Sequence, residues 1–414
     1  MKKKKRTILL SILIGTFLLC AIAGGTIYYY LFAPQFHPSK TVYIYVDRDD
    51  TADSITNKIK KFGYVNKLTG FHWMAKYKNL EQNIHTGRYA IRPNDNVYHV
   101  YSRFSRGYQE PMNLTVGSVR TLKRLARSMG KQLMIDSAEI ARQLFDSTVQ
   151  AQLGYTEATL PGLFIPETYQ VYWDMSADEL IERMRKEHER FWNKERLAQA
   201  TAIGMTPEEV STLASIVEEE TNNNEEKPIV AGLYINRLHK DMPLQADPTI
   251  KFALQDFGLR RITNEHLKID SPYNTYINTG LPPGPIRIPS KKGIDSVLNY
   301  TKHNYIYMCA KEDFSGTHNF ASNYAEHMAN ARKYWKQHRT CRLKHYPQNH
   351  KPHHPECKSG QKILLPPQSF FSVHRPPFFL YCISFSSTII IYILFRWYYV
   401  SFRLGLYISF RFVV

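Results

Sequence analysis

The chain has 414 residues, of which 43% are hydrophobic, so it is long enough to bury the cores of two domains. Its formal net charge of +18 at pH 7 would by itself suggest nucleic acid as a partner. Half of that excess lies in residues 338–414, with ten Lys and Arg against one acid, and residues 2–6 add five basic side chains. The body between them is nearly balanced and carries no nucleic-acid motif, so nucleic acid is not expected as a partner.

An apolar segment follows the basic leader of residues 1–6. Residues 7–32 carry no charge and are long enough to cross a bilayer, with the leader expected on the cytoplasmic side. A cleaved signal peptide is the competing interpretation, because Ala21-Ile22-Ala23 has the composition of a processing site. The apolar run is longer than a typical signal core and continues through Tyr28–Tyr30, which suits an aromatic belt. The sequence therefore predicts an uncleaved single-pass transmembrane anchor.

A small domain is predicted over residues 38–106. Residues 41–46 are β-branched and aromatic and predict a strand, and Thr51 begins a helix that ends near Gly63. A second helix over residues 67–78 and a strand over 87–91 complete the order β-α-α-β. This order resembles that of LysM-like domains, which in other proteins hold GlcNAc-containing glycans. A domain that only spaces or braces the rest of the chain is the alternative.

A larger domain is predicted over residues 111–337. A strand near 112–116 leads into helices around 119–132 and 137–145, and Ser176 with Glu179 forms a capping box for a further helix. The expected fold class is therefore α+β, with an N-terminal transmembrane helix, a small LysM-like domain and a larger mixed α+β domain.

The helix that begins at Thr206 is defined by three residues. Thr206 is followed by Pro207 at the first helical position, and Glu209 stands three residues after Thr206. This spacing predicts a capping box with proline at the first helical position.

A glutamate falls on the apolar face of this helix. At about 100° per residue, Glu220 lies on the apolar side, Glu219 points away and Glu218 lies at the border. The residues of that side are Val210, Leu213, Ala214, Ile216 and Val217. Desolvation among apolar neighbours favours the protonated form of a carboxyl, which a general acid needs. We therefore predict Glu220 as the catalytic acid, supported by Glu218; a solvated triplet that ends the helix is the alternative.

Four short motifs follow the acidic helix. They are INRL (235–238), LQADPT (244–249), YNTY (273–276) and GLPPGPI (280–286). Proline fixes φ and glycine lets a ligand approach the backbone, so such segments suit the wall of a cleft. Each motif alone is weak evidence, and their order after the acidic helix carries the prediction.

With these motifs the chain resembles the YceG-like endolytic murein transglycosylases (MltG). The helix motif of that family, A-S-I-hydrophobic-E-x-E-T, is ASIVEEET here, and the four later motifs match in order. Residues 160–171 match a further family element less strictly, and the resemblance extends from the first residues to about Gln337. In the family the catalytic acid is the second glutamate of E-x-E, which corresponds to Glu220.

The resemblance implies a membrane-anchored enzyme that cuts the MurNAc-GlcNAc β-1,4 bond inside nascent glycan strands, leaves 1,6-anhydroMurNAc ends and so limits strand elongation. One carboxyl suffices, because the nucleophile is the C6 hydroxyl of the same MurNAc ring. No cofactor and no metal are expected. The implied partners are peptidoglycan glycan strands, the inner membrane and, as a further candidate, peptidoglycan synthases, with the catalytic domain in the periplasm. The alternative is an inactive peptidoglycan-binding scaffold of the cell-wall synthesis machinery.

The predicted glycan contacts come from these motifs and from one downstream histidine, for which a packed or surface position is the alternative. They are Asn236, Arg237, Gln245, Asp247, Thr249, Tyr273, Asn274, Tyr276 and His318.

Residues 338–414 form an atypical tail, rich first in His, Pro and Ser and then in Phe, Tyr and Ile. We interpret this tail as disordered or non-native, produced by a frameshift or readthrough. A second membrane span over residues 378–400 is an alternative, weakened by Arg396. A zinc site formed by the cysteines and histidines of the tail is another, although their spacing fits no usual ligand pattern.

Overall fold

The computed structural model describes residues 2–344 except 63, 64 and 66. Within this range the chain is a mixed α+β protein in which three two-stranded antiparallel sheets are combined with many helices. The interpretations of residues 345–414, including the second membrane span and the zinc site, lie outside the described residues.

The first helix, α1 (Lys2–Leu31), contains the apolar segment. Its stretch Lys4–Leu31 is long and apolar enough to cross a membrane, and none of its most hydrophobic window is buried against the protein. At a rise of about 1.5 Å per residue, a helix of this length exceeds the hydrocarbon thickness of a bilayer, about 30 Å. The predicted apolar helix is thus present, while its length and composition do not give an orientation.

The small domain has two strands and three helices. Strand β1 (Val42–Val46) pairs with β2 (Gly87–Ile91), with Val42 opposite Ile91 and Val46 opposite Gly87. Helices α2 (Ala52–Phe62) and α3 (Thr69–Tyr77) lie between the strands in the chain, and α4 (Val97–Ser105) follows β2. The apolar faces of these elements form one core. Its largest fully buried members are Phe36, Ile44, Ile55, Ile59, Phe71, Leu80, Tyr89, Ile91 and Phe104.

A second core lies around the strand pair β3 (Met112–Val116) and β4 (Glu167–Val171), in which Met112 stands opposite Val171. Three α-helices and the short 3-10 helix Leu160–Leu163 stand between these strands in the chain, and one α-helix follows them. The four α-helices are α5 (Leu122–Gly130), α6 (Ser137–Phe145), α7 (Ser147–Leu153) and α8 (Ala177–Phe191). The predicted capping box is present at α8, where Ser176 and Glu179 exchange hydrogen bonds.

The third core surrounds the acidic helix, α10 (Pro207–Glu220), which follows α9 (Lys194–Ala202). Thr206 and Glu209 form the predicted capping box at its start. The elements after α10 are α11 (Lys227–Leu238), α12 (Asp247–Ala253), α13 (Lys291–Leu298), β5 (Tyr307–Ala310), β6 (His318–Ala321) and α14 (Tyr324–Lys344). Helix α10 packs against α11, α12 and α13. The apolar face inferred from its sequence is therefore the face that the protein buries.

The GLPPGPI segment joins the second and third cores at a close backbone contact. A Cβ atom on Gly284 would lie 2.0 Å from the carbonyl oxygen of Ala158. Two residues later, the amide of Ile286 donates to Oγ of Ser215 on α10 at 2.9 Å. The glycine therefore lets this segment lie directly against residues 158–159 while it is bonded to the acidic helix.

Replacing Gly284 by Ala should push these two backbones apart and lower the free energy of unfolding by about 1–3 kcal/mol. The measurement is a thermal or urea unfolding curve of the detergent-solubilised chain. Gly117→Ala is the matched control, because a Cβ at Gly117 meets nothing within 4 Å. Equal stability of the two variants would contradict the importance of the close contact.

Candidate active site

Glu220 is the last residue of α10, and its side chain is almost completely enclosed by the protein. It is 9% exposed, and its Oε1 accepts a hydrogen bond from the hydroxyl of Tyr234 at 2.8 Å. Tyr234 lies on α11 and is fully buried. Helices α10 and α11 thus meet where the phenol of Tyr234 donates to the carboxyl of Glu220.

Tyr234 is the neighbour that the sequence analysis missed. Burial, the negative charge of Glu220 and the hydrogen bond to that carboxyl raise the pKa of Tyr234 well above its usual value. The phenol therefore keeps its proton and remains a donor to Glu220 over the whole physiological pH range. The available signal was its position two residues before Asn236, immediately ahead of the INRL motif.

A second tyrosine lies in the same electrostatic environment. Tyr276 donates its hydroxyl hydrogen to Oδ1 of Asp247, at the start of α12. Burial and the charge of Asp247 raise the pKa of Tyr276, and the charge of Glu220 acts in the same direction. The structure thus places Tyr276 within range of the charge of Glu220, and Tyr276 is bonded in turn to Asp247.

Arg237 is buried behind this group. It is 1% exposed, and it donates to the carbonyl oxygens of Pro243 and Ile306 and, at 2.7 Å, to Oε1 of Gln245. Burial lowers the pKa of its guanidinium. Gln245 itself has a φ of 52°, and its backbone amide donates to the carbonyl oxygen of Thr275 at 2.9 Å. This pair holds the LQADPT segment between the helix that carries INRL and the YNTY segment.

Three further predicted contacts bond to neighbouring segments of the chain. Asn236 donates to the carbonyl oxygens of residues 303 and 305, and Asn274 donates to those of residues 267 and 269. Thr249 is buried and lies 2.9 Å from the Thr275 hydroxyl. These polar groups shape the loops of the region from inside.

Tyr273 is a partly buried member of the YNTY motif whose ring packs against another aromatic side chain. Its ring centroid lies 4.7 Å from that of Phe252. Burial and the charge of Glu157 raise the pKa of Tyr273 to about 12.

The other two glutamates of the triplet bind different parts of the chain. Glu218 accepts the amide of Ser290 at 2.7 Å, at the start of α13. Glu219 accepts two hydrogen bonds from Arg120, at 2.7 and 2.8 Å, and one from Arg287 at 3.0 Å. Glu218 therefore fixes α10 to α13, and Glu219 fixes α10 to the segment before α5 and to the residue after GLPPGPI.

His318 lies in a buried group just beyond the end of α10. Its amide donates to Oε1 of Glu226 at 2.7 Å, and its Nδ1 lies 2.9 Å from Oε2. The hydroxyl of Thr221 donates to the same Oε2 at 2.8 Å. Burial would raise the pKa of Glu226, but the hydrogen bonds and charge of His318, with the bond from Thr221, hold it below the usual value. Glu226 thus links His318 to Thr221, the residue that follows Glu220.

No group of three or more His, Cys, Asp and Glu side chains suited to a metal ion occurs in the described part of the chain. The arrangement around Glu220 defines a class of site: one carboxyl at a buried helix end, bonded to a phenol and surrounded by ordered polar loops. The chain belongs to the YceG-like family, whose model matches residues 44–333. This match confirms the resemblance inferred from the motifs.

Two relatives carry the description endolytic murein transglycosylase. The protein from Streptococcus pneumoniae serotype 2 is 28% identical over 322 residues, an alignment covering 70% of this chain and 58% of the relative. The Bacillus subtilis protein is 28% identical over 334 residues, covering 76% of this chain and 91% of the relative. The alignment thus spans little more than half the length of the pneumococcal protein. A crystal structure described as a YceG-like protein from Listeria monocytogenes is 26% identical and covers 70% of this chain and 99% of that one, with a TM-score of 0.48.

Replacing Glu226 by Gln should destabilise the protein at pH 7, because the variant loses the charge that the hydrogen bonds from His318 and Thr221 favour. The folded-state pKa of Glu226 is depressed below the ordinary value of 4.5, so its contribution is present above that pH and is lost as the pH falls. The difference in melting temperature between wild type and variant should therefore shrink below about pH 4.5.

Glu225→Gln is the control for this titration, since Glu225 is exposed and next in sequence. It should show a much smaller difference at every pH. A difference for Glu226→Gln that stays constant down to pH 3 would contradict the role of the charge.

Proposed function

We propose that this chain is an endolytic murein transglycosylase that cuts the MurNAc-GlcNAc β-1,4 bond within peptidoglycan glycan strands. The observation that carries the proposal is the buried carboxyl of Glu220, which stands at the family's second glutamate and is bonded through Oε1 to Tyr234. The names of the two aligned relatives support the same activity.

Glu220 acts first as an acid. The acid form gives its proton to the glycosidic oxygen as the bond to the anomeric carbon of MurNAc breaks, while Tyr234 donates to Oε1. The leaving GlcNAc departs with a free 4-hydroxyl, and positive charge develops on the MurNAc ring. The ionised carboxyl keeps its hydrogen bond from the protonated phenol.

Glu220 then acts as a base. It accepts the proton of the C6 hydroxyl of the same MurNAc residue while that oxygen attacks the anomeric carbon and closes the 1,6-anhydro ring. The nucleophile is part of the substrate, so its effective concentration is set by the ring conformation. Protons balance over the cycle, and the carboxyl returns to its acid form.

The predicted glycan contacts divide into two groups under this proposal. Tyr276 lies within range of the charge of Glu220 and is bonded to Asp247, and Tyr273 lies in the same loop region, so we assign these three to the glycan cleft. The remaining predicted contacts hydrogen-bond within the protein, and we assign them to positioning its loops. They are Asn236, Arg237, Gln245, Thr249, Asn274 and His318, and Glu218 has the same role at α13.

The proposed setting is the outer surface of the plasma membrane. Helix α1 is the anchor, with residues 2–6 in the cytoplasm and the rest of the chain outside, in line with the distribution of basic residues. The small domain is LysM-like in its β-α-α-β order, and either holds glycan or braces the larger domain. Action on nascent strands would limit their length, with peptidoglycan synthases as neighbouring partners.

The test replaces Glu220 by Gln and analyses the products from purified sacculi and from nascent glycan strands by mass spectrometry. A general acid contributes typically about 10²–10⁴-fold to rate, so the variant should lose 1,6-anhydroMurNAc products by at least that factor while its melting curve is retained. Undiminished anhydro products from the variant would refute the assignment.

The same analysis separates two other functions, a hydrolase and the inactive scaffold. New ends that contain one more water than the anhydro form would indicate a hydrolase, which needs a second carboxylate, and Asp247→Asn then tests whether Asp247 is that group. Binding of sacculi by wild type without any new end would indicate the scaffold.

Replacing Tyr234 by Phe removes the hydroxyl that bonds Glu220 but keeps the buried ring. A hydrogen bond to a charged group contributes about 1.5–3 kcal/mol, so turnover should fall roughly 10–100-fold. The measurement is the initial rate of anhydro product formation.

Tyr89→Phe is the matched control, because Tyr89 is also fully buried and donates to the carbonyl oxygens of residues 85 and 86 in the small domain. It should lower stability and leave the rate of the folded enzyme unchanged. Equal rates for Tyr234→Phe and Tyr89→Phe would contradict the role of the phenol.

A further inference from the structure

A group of exposed aromatic rings lies where α1 meets the small domain. Tyr28 and Tyr29, near the end of α1, are 63% and 48% exposed, and Trp73 and Tyr77 on α3 are 55% and 84% exposed. We call these four residues the aromatic face. Scattered apolar side chains on a surface are ordinary, but aromatic rings gathered beside a membrane-length helix are typical of an interaction site.

Helix α3, which carries Trp73 and Tyr77, is packed directly on the end of α1. The rings of Tyr30 and Trp73 have centroids 6.2 Å apart. A Cβ atom on Gly70 would lie 2.1 Å from the carbonyl oxygen of Tyr30, so only glycine allows this approach. Gln35, just after α1, donates its side-chain amide to the carbonyl of Tyr29 and its backbone amide to that of Asp95. The small domain is therefore bonded to α1 without a free linker.

The length of α1 sets the depth of this surface. A hydrocarbon core of about 30 Å is crossed by about 20 helical residues. Counted from Thr7, the first residue after the basic leader, such a span ends near Thr26. Tyr28–Tyr30 then lie in the interfacial layer, which tyrosine and tryptophan favour, and the contact with Tyr30 places Trp73 at the same level.

The surrounding charge fits an anionic surface. Residues 54–80 contain six lysines and no Asp or Glu; Lys58 is paired with Asp50, and the other five are exposed. Lys67 has its Nζ 5.8 Å from the ring centre of Tyr29, and Lys78 has its Nζ 5.3 Å from that of Tyr77. Lysines interleaved with aromatic rings beside a membrane helix complement lipid phosphate groups.

We propose that the aromatic face binds the surface of the bilayer that α1 crosses, with Trp73 and Tyr77 at the level of the lipid headgroups and the exposed lysines of residues 54–80 against anionic phosphates. The proposal rests on α1 being the anchor given under the proposed function. This contact holds the small domain against the membrane through α3 as well as through α1.

Glycan is the other ligand that stacks on aromatic rings. The depth argument favours lipid, because a glycan bound by Trp73 would have to lie at the height of the last turn of a membrane-spanning helix. The test therefore includes glycan as an outcome that would overturn the proposal.

The experiment reconstitutes the full chain in vesicles of phosphatidylcholine and phosphatidylglycerol, with and without a phosphatidylcholine brominated near the headgroup end of its acyl chains. Bromine quenches tryptophan fluorescence on contact. The part of the wild-type tryptophan fluorescence that bromine quenches should be smaller in Trp73→Phe and should be retained in Trp335→Phe. Trp335, on α14, is the matched control because it is 43% exposed.

Equal quenching of wild type and Trp73→Phe would overturn the proposal. It would also be overturned if added sacculi, and not lipid, protected Trp73. Flotation of the vesicles in alkaline carbonate tests the anchor separately. A protein that floats without quenching at Trp73 retains its anchor and refutes the docking, whereas a protein that does not float refutes both. As a second variant, Lys76→Glu with Lys78→Glu should weaken the quenching at Trp73 in anionic vesicles more than in neutral ones.

Discussion

The hydrogen bond between Tyr234 and Glu220 joins two groups that the protein interior would otherwise disfavour. A carboxylate removed from water loses several kcal/mol of solvation unless other groups replace it, and a buried phenol needs an acceptor. Tyr234 on α11 and Glu220 on α10 satisfy each other at 2.8 Å. Because the phenol keeps its proton, it remains a hydrogen-bond donor to the carboxyl. The rest of the site depends on α10 and α11 being held at this separation.

The polar residues around this bond hold the two helices and their loops in place. Arg237, one turn after Tyr234 on α11, binds the loop that carries Gln245. Glu226 precedes α11 and binds both Thr221 and His318, so the ends of the two helices are joined through buried hydrogen bonds. A buried polar network with its partners in place fixes one geometry, which a proton transfer between positioned groups requires.

The sequence predicted the acidic helix well because its signals are local. The capping box of Thr206 and Glu209 depends on four residues, and the side on which Glu220 falls follows from helical rotation alone. The family was recognisable from motifs in order. The capped helix α8 and the strands of the small domain were likewise predicted from short-range patterns.

The direction of the loop side chains was not predictable in the same way. Asn274 and Thr249 have the composition of a polar cleft, yet their partners are groups near in space that no spacing rule identifies. Tyr234 was missed because a tyrosine on an apolar helix face has the pattern of a core residue, and only the position of α10 reveals its acceptor. Arg237 was predicted as a glycan contact from its place in the INRL motif, while the structure gives its donors to two carbonyl oxygens and to the side-chain oxygen of Gln245.

The three consecutive glutamates at the end of α10 have a consequence for how this segment tolerates change. Glu218 is bonded to the start of α13, Glu219 to two arginines and Glu220 to a phenol. Successive residues of a helix project about 100° apart, so inserting or deleting one residue upstream in α10 would exchange these partners while the letters EEE stayed unchanged. Three chemically identical side chains are thus distinguished only by angle, and the register of the helix is what gives each its identity.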